Sequence, residues 1–150
     1  MAHSFGKLLY HMIYSTKMRR PTILESWCER LHAYKHGIVE NLGGRLHRAG
    51  GTADHVHLAV ELKNDIAVAE AVGILKANSS KWVHETFADS RDFAWQTGYA
   101  AFSVSLSALD DVIRYIDNQE EHHRKVTFEE ELAAFLQRHG VTYDPRYWLG

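Results

Sequence analysis

Apolar residues crowd residues 7–15, where Leu8, Leu9, Tyr10, Met12, Ile13 and Tyr14 lead into a basic turn, and this predicts a first strand. From 25 to 42 the period lengthens. Trp27, Leu31, Tyr34 and Ile38 recur at i, i+4, i+7 and i+11, one buried stripe of a helix that Gly43-Gly44 stops. A second strand is expected around 45–48, a tight turn at Gly50-Gly51, and a third strand over 55–62 in the manner of a hairpin. A second helix is predicted over about 65–87, with Val68, Val72, Leu75, Trp82, Val83 and Phe87 inward, then a fourth strand over 98–106. Ser107 followed by Asp110 reads as a capping box opening a third helix to about 125, and Thr127 with Glu130 repeats that signal for a last helix closed by Gly140. The order β-α-β-β-α-β plus two helices is the ferredoxin-like, RRM-like plan. It implies an α+β fold whose four-stranded antiparallel sheet carries helices on one face, with additional C-terminal helices. No repeat or linker divides the chain, so one domain over 1–150 is expected.

Composition narrows the classes. A chain of 150 residues, 45% hydrophobic and 24% charged, matches a packed domain rather than a disordered one, and it can bury a core without disulfides or a structural metal. Cys28 stands alone and cannot form an internal disulfide, so the cytoplasm is the expected location. No stretch approaches the ~20 apolar residues of a membrane span, and no membrane partner is expected. The net charge of −2 argues against a general nucleic-acid binder, but the average conceals an asymmetry. Residues 1–50 carry eight Lys/Arg against three acids, whereas the remainder carries nine against sixteen. A phosphate-binding face is therefore expected to draw on the first third, above all on Lys17, Arg19 and Arg20 before Pro21.

Two groups of residues can carry chemistry. In Asp54-His55-Val56-His57-Leu58 the alternation of a strand puts both imidazoles on one face and Val56 and Leu58 on the other, and two imidazoles so placed can bind one divalent metal. With 11 histidines in 150 residues, chance alone supplies about one such pair, so the motif needs support. On the third helix Leu109, Val112, Ile113 and Ile116 form the core stripe, and Tyr115, Gln119 and His122 a second stripe on its flank. The two groups complement each other. A phenol with an ordinary pKa of ~10 is a competent nucleophile toward phosphorus once activated. A neighbouring cation would polarise the phosphate, and the Gln119 carbonyl offers a third ligand beside the imidazoles. Such a mixed N/O site with open positions suits Mg²⁺ or Mn²⁺.

At this point the chain resembles a family: the single-tyrosine transposases of small bacterial and archaeal insertion sequences, transposase A-like members of the HUH endonuclease superfamily. The residues that carry the resemblance are Tyr14-Ser-Thr-Lys-Met-Arg-Arg-Pro21, Asp54-His-Val-His-Leu58, Leu75-Lys-Ala-Asn-Ser-Ser-Lys-Trp82, Trp95-Gln-Thr-Gly-Tyr99, Phe102-Ser-Val-Ser105 and Tyr115-Ile-Asp-Asn-Gln-Glu-Glu-His-His123, in order from about 10 to 147. The resemblance implies that His55 and His57 are metal ligands, that Tyr115 is the nucleophile and that Gln119 completes the metal shell. It also implies a homodimer acting on single-stranded DNA near a hairpin at the element's end, through a covalent 5′-phosphotyrosine and a freed 3′ hydroxyl. A related branch, the domesticated repeat-associated tyrosine transposases, shares the core, and the Asn118-Gln119 and His122-His123 run looks more like the mobile type.

Lys76, Ser79, Ser80 and Lys81 on the second helix are expected to add DNA contacts to those of Lys17, Arg19 and Arg20. Trp82, Trp95 and Tyr99 are read as core aromatics, and His122 and His123 as surface groups at a helix end. The rival class is a non-catalytic nucleic-acid-binding module, since RNA-recognition domains share this strand-helix order, although no aromatic pair stands as in their signature strands.

Overall fold

The computed structural model describes residues 3–146; residue 147, where the resemblance ends, lies outside them. The chain runs β1 (Leu8–Ser15), α1 (Glu25–Asn41), β2 (Arg45–Gly51), β3 (His55–Leu62), α2 (Val68–Thr86), β4 (Ala100–Val104), α3 (Leu109–Asp117), α4 (Gln119–His122) and α5 (Phe128–Arg138). The strands form one antiparallel sheet in the order β2-β3-β1-β4, which is the expected α+β fold.

Side-chain alternation gives the sheet two different faces. Met12 and Tyr14 of β1 and Val56, Leu58, Val60 and Leu62 of β3 join Trp27, Leu31, Val72, Leu75 and Val83 of α1 and α2 in the main core. The opposite face carries Leu9 and Ala59 under Leu109 and Ile116 of α3, and Ile13 and Phe102 under Phe128, Leu132 and Phe135 of α5. His11, His55 and His57 are buried on this second face. The C-terminal helices therefore roof the histidine pair.

Gly50 and Gly51 do not form the predicted turn. They are ladder residues opposite His57 and Val56, and the chain reverses over 52–54. The reason is steric: a Cβ on Gly50 would stand 2.8 Å from Ile116 Cγ2 and 2.9 Å from the Ile116 carbonyl oxygen, so a bare strand lets α3 settle on the sheet. Gly51, at φ +149, would place a Cβ 2.2 Å from the His55 carbonyl oxygen.

The third helix also departs from expectation. It breaks at Asn118, and the Ser107–Asp110 capping box is not formed. Ser107 lies inside a short 3-10 turn with its hydroxyl 3.1 Å from that of Ser105, which leaves Ala108 at the cap. Thr127 does cap α5, its hydroxyl accepting from the Glu130 N–H at 3.2 Å.

On α1 the inner stripe passes through Lys35 rather than Tyr34. Lys35 is fully buried at i+4 from Leu31, while Tyr34 is exposed and stacks on Trp82. The Lys35 ammonium lies 4.4 Å from the Trp95 ring centre and 5.2 Å from that of Tyr14, and finds no hydrogen-bond partner among the described residues. The aromatic faces offset part of the cost of burial. Burial pushes its pKa down from 10.5 to about 7. The unfolded chain therefore binds the proton over that interval and the folded chain does not, so stability rises with pH between about 7 and 10. We expect Lys35→Met to remove this slope and to be at least as stable as wild type at pH 7, as measured by urea unfolding at a series of pH values.

Candidate active site

Neighbouring groups hold each imidazole of β3 through its Nδ1 and turn its Nε2 toward the C-terminal helices. The His55 Nδ1–H donates to Asp54 Oδ1 at 2.7 Å, with Thr52 Oγ1 at 3.0 Å, and its Nε2 faces Gln119 Oε1 at 3.0 Å. His57 Nδ1 lies 2.8 Å from His11 Nε2, and its own Nε2 faces Glu131 Oε1 at 2.9 Å. Each Nε2 thus points into one small space between the sheet and the C-terminal helices. Burial, partly offset by the Glu131 hydrogen bond, pushes the His57 pKa down to about 4, and burial together with the His57 charge pushes that of His11 to about 3.

The other wall comes from α3, α4 and α5. Tyr115 and Gln119 lie one helical turn apart, so both reach the same space despite the break at Asn118. The Tyr115 hydroxyl donates to Glu131 Oε2 in a short hydrogen bond and lies 3.2 Å from His122 Nε2. The Gln119 amide donates to the same carboxylate oxygen at 3.2 Å, and its carbonyl faces His123 Nε2 at 3.0 Å. Burial first, and then the adjacent carboxylate, hold the Tyr115 phenol above its ordinary pKa. Burial alone would raise Glu131, but the hydrogen bond and charge of His57 and the bond from Tyr115 outweigh it and keep the carboxyl ionised.

Electron-pair donors facing one another at these distances are satisfied by a shared proton or by a shared cation. One ligand atom each from His55, His57, His123 and Glu131 falls within 4.8 Å of every other, and these donors with Gln119 fit a divalent metal ion. Tyr115 lies beside this pair, its ring centre 5.7 Å from that of His57.

Sequence reasoning placed His55, His57, Tyr115 and Gln119, and the structure brings these four together. It missed Glu131 and His11, and it set His122 and His123 aside. Glu131 had a signal: it falls among Phe128, Leu132 and Phe135 on the inner stripe of α5, where an acid needs a buried partner. His11 sits on the inward alternation of β1 beside Ile13.

The expected DNA contacts divide. Lys17, Arg20 and Lys81 are exposed and Ser80 is half-buried. Arg19 is ion-paired with Glu129 at the start of α5, and the turn it belongs to is joined to Asp54 by the Thr16 N–H, which donates to the Asp54 carbonyl at 2.8 Å. Lys76 donates to the Gln96 and Gly98 carbonyls at 2.9 and 2.5 Å. Ser79 is fully buried on the stripe of Leu75 and Val83; its hydroxyl donates to the Leu75 carbonyl and accepts from Trp95 Nε1–H at 3.0 Å, which leaves no face for a phosphate. Trp95 is buried as expected, but Tyr99 is exposed rather than core.

Residues 4–119 match the family described as Transposase IS200 like. The chain is 26% identical over 123 residues to the transposase for insertion sequence element IS200 of Salmonella typhimurium, across 77% of this chain and 80% of that protein, and it matches the Salmonella typhi counterpart to the same extent. Among solved structures it resembles a putative transposase from Deinococcus radiodurans R1, with a TM-score of 0.63 and 23% identity over 79% of this chain and 95% of that one. It also resembles a REP-associated tyrosine transposase bound to a REP hairpin, with a TM-score of 0.61 and 13% identity over 96% and 91%. The two structural likenesses concern the fold.

Because Ser79 serves the core, Ser79→Ala should strand the Trp95 N–H. We expect a loss of about 1–3 kcal/mol in chemical denaturation, with no change in affinity for single-stranded DNA.

Proposed function

We propose, for a chain that belongs to the IS200-like transposase family, that it cleaves and rejoins single-stranded DNA at insertion-sequence ends, with Tyr115 as the nucleophile and His55, His57 and Gln119 as ligands of a divalent cation, Mg²⁺ or Mn²⁺. The observation that carries this reading is the convergence of the Tyr115 hydroxyl and both imidazole Nε2 atoms on one buried carboxylate. A phenol held above its ordinary pKa is protonated at neutral pH, so its proton must leave as it attacks, and Glu131 already accepts the hydrogen bond.

The Tyr115 oxygen attacks the scissile phosphorus, an oxygen–phosphorus bond forms, and the bond to the 3′ oxygen breaks. The phenol proton passes to Glu131, and the departing 3′ oxygen takes a proton from water. The strand is left on Tyr115 through its 5′ phosphate, with a free 3′ hydroxyl. In rejoining, a 3′ hydroxyl attacks the phosphotyrosine and gives its proton to water, the bond from phosphorus to Tyr115 breaks, and Tyr115 recovers its proton from Glu131. A bound cation supplies Lewis-acid polarisation of the phosphate and neutralises charge that develops on it. Asp54 and His11 hold the two imidazoles in place through their Nδ1 atoms. Lys17, Arg19 and Arg20 guide the strand backbone, on a turn bonded to Asp54 and hence next to His55. The substrate in this reading is single-stranded DNA carrying a terminal hairpin, and the enzyme works as a homodimer of such sites.

With Mn²⁺ or Mg²⁺ the purified protein should form a covalent adduct on labelled single-stranded DNA from an element end, read as a shifted band on a denaturing gel. Tyr115→Phe should abolish the adduct and leave DNA binding intact; adduct formation by that variant would assign the nucleophile elsewhere. His57→Ala should lose metal-dependent cleavage. A non-catalytic binding module would form no adduct and would bind DNA equally well in EDTA.

A further inference from the structure

Resting on that reading of the site, we propose that Glu131 and His123 are also ligands of the cation, so that α5 is part of the metal centre and the site takes Mn²⁺ in preference to Mg²⁺. Both residues lie beyond the segment 4–119 that matches the family.

Geometry is the first argument. Glu131 Oε1 is 2.9 Å from His57 Nε2 and 3.6 Å from His55 Nε2; His123 Nε2 is 3.0 Å from Gln119 Oε1 and 3.2 Å from Glu131 Oε2. Metal–ligand bonds of about 2.0–2.2 Å place neighbouring ligand atoms about 3 to 3.5 Å apart, so these contacts have the spacing of one coordination shell. The tautomer of His123 suits the role. Its Nδ1–H donates to the Val126 carbonyl at 2.8 Å, which leaves the lone pair on Nε2, directed at the cluster.

Charge is the second. His55, His57 and Gln119 are neutral ligands, and a divalent ion held by them alone would keep its full charge in a buried space. Glu131 supplies the one carboxylate of the cluster, with a side chain only 1% exposed. The carboxylate is fixed there by its helix: Phe128 and Phe135 pack on the sheet on either side of it, and Thr127 caps the first turn. Its two oxygens face different ways, Oε1 toward the imidazole pair and Oε2 toward the Tyr115 hydroxyl. One side chain thus ties the nucleophile to the cation site.

Donor chemistry sets the preference between the two ions. Three imidazoles with a carboxylate and an amide oxygen suit a first-row transition ion, whereas Mg²⁺ favours an oxygen shell that retains several waters. Since Glu131 lies on α5, cation binding should also steady that helix on the sheet.

The test is Mn²⁺ binding to the full chain, read from the electron paramagnetic resonance of the free ion, with no DNA present. Wild type should bind one Mn²⁺, and Mg²⁺ should displace it only in large excess. Glu131→Gln, which preserves shape, should weaken binding by about 10- to 100-fold, and His123→Ala should weaken it in the same direction. In hydrogen exchange, Mn²⁺ should slow the amides of α5 in wild type and not in Glu131→Gln. Unchanged Mn²⁺ affinity in Glu131→Gln overturns the proposal. Should that variant fail to fold, the anomalous signal of Mn²⁺ in crystals of wild type decides: a peak bonded to a Glu131 oxygen supports the assignment, and one bonded to His55 and His57 with Glu131 remote overturns it. In that last case the Tyr115 adduct still forms and only this inference falls; if wild type binds no divalent ion, the metal-assisted reading falls with it.

Discussion

A single buried carboxylate organises the outer face of this protein. Glu131 is 3% exposed yet meets His57, Tyr115, Gln119, His122 and His123. An ionised acid in such a place is tolerated only when donors answer it, and here His57 of β3, Tyr115 of α3 and Gln119 of α4 do so. The same requirement makes the site cooperative. Removing the acid would leave these imidazoles and the phenol with no common acceptor, and removing any donor would leave part of the carboxylate unanswered.

The sheet makes this possible by separating its two duties. One face packs its apolar side chains on α1 and α2, which supplies the rigidity that polar groups need around them. The other face carries three buried histidines between two small apolar clusters, one under α3 and one under α5. Gly50 sets how close α3 can come, because a side chain there would lift Ile116 and with it Tyr115, one residue earlier on the helix. The seating of α3, and with it the position of Tyr115, therefore depends on a residue with no side chain.

Electrostatics outside the site follow the same economy. The chain is slightly acidic overall, but eight of its 17 Lys/Arg fall in residues 1–50, and three of these, Lys17, Arg19 and Arg20, share one loop. Arg19 in that loop is already paired with Glu129, two residues from Glu131 on α5, while Lys17 and Arg20 remain exposed. A phosphate backbone that approaches the loop arrives beside Asp54, which holds His55. A local cationic patch is sufficient where the ligand is guided to one point rather than gripped along its length.

Local pattern was enough for the strands and most helices, since each rests on a period of 2 or 3.6, and it brought forward His55, His57, Tyr115 and Gln119, whose roles came from the family resemblance. His55 with His57 and Tyr115 with Gln119 are each visible within five residues of chain. What they share was not visible. Glu131, at 74 positions from His57, and His11, at 46, enter the site only because the sheet order puts β1 beside β3 and the last helix folds back over both. Ser79 was expected to touch DNA and Lys35 carries a charge, but burial assigned both to the core, where helical position outweighed polarity. Gly50 read as a turn because its use lies in a helix 66 residues further on. Residue type and spacing govern interactions along a segment; which segments meet, and so which buried charge finds a partner, is settled by packing across the whole chain.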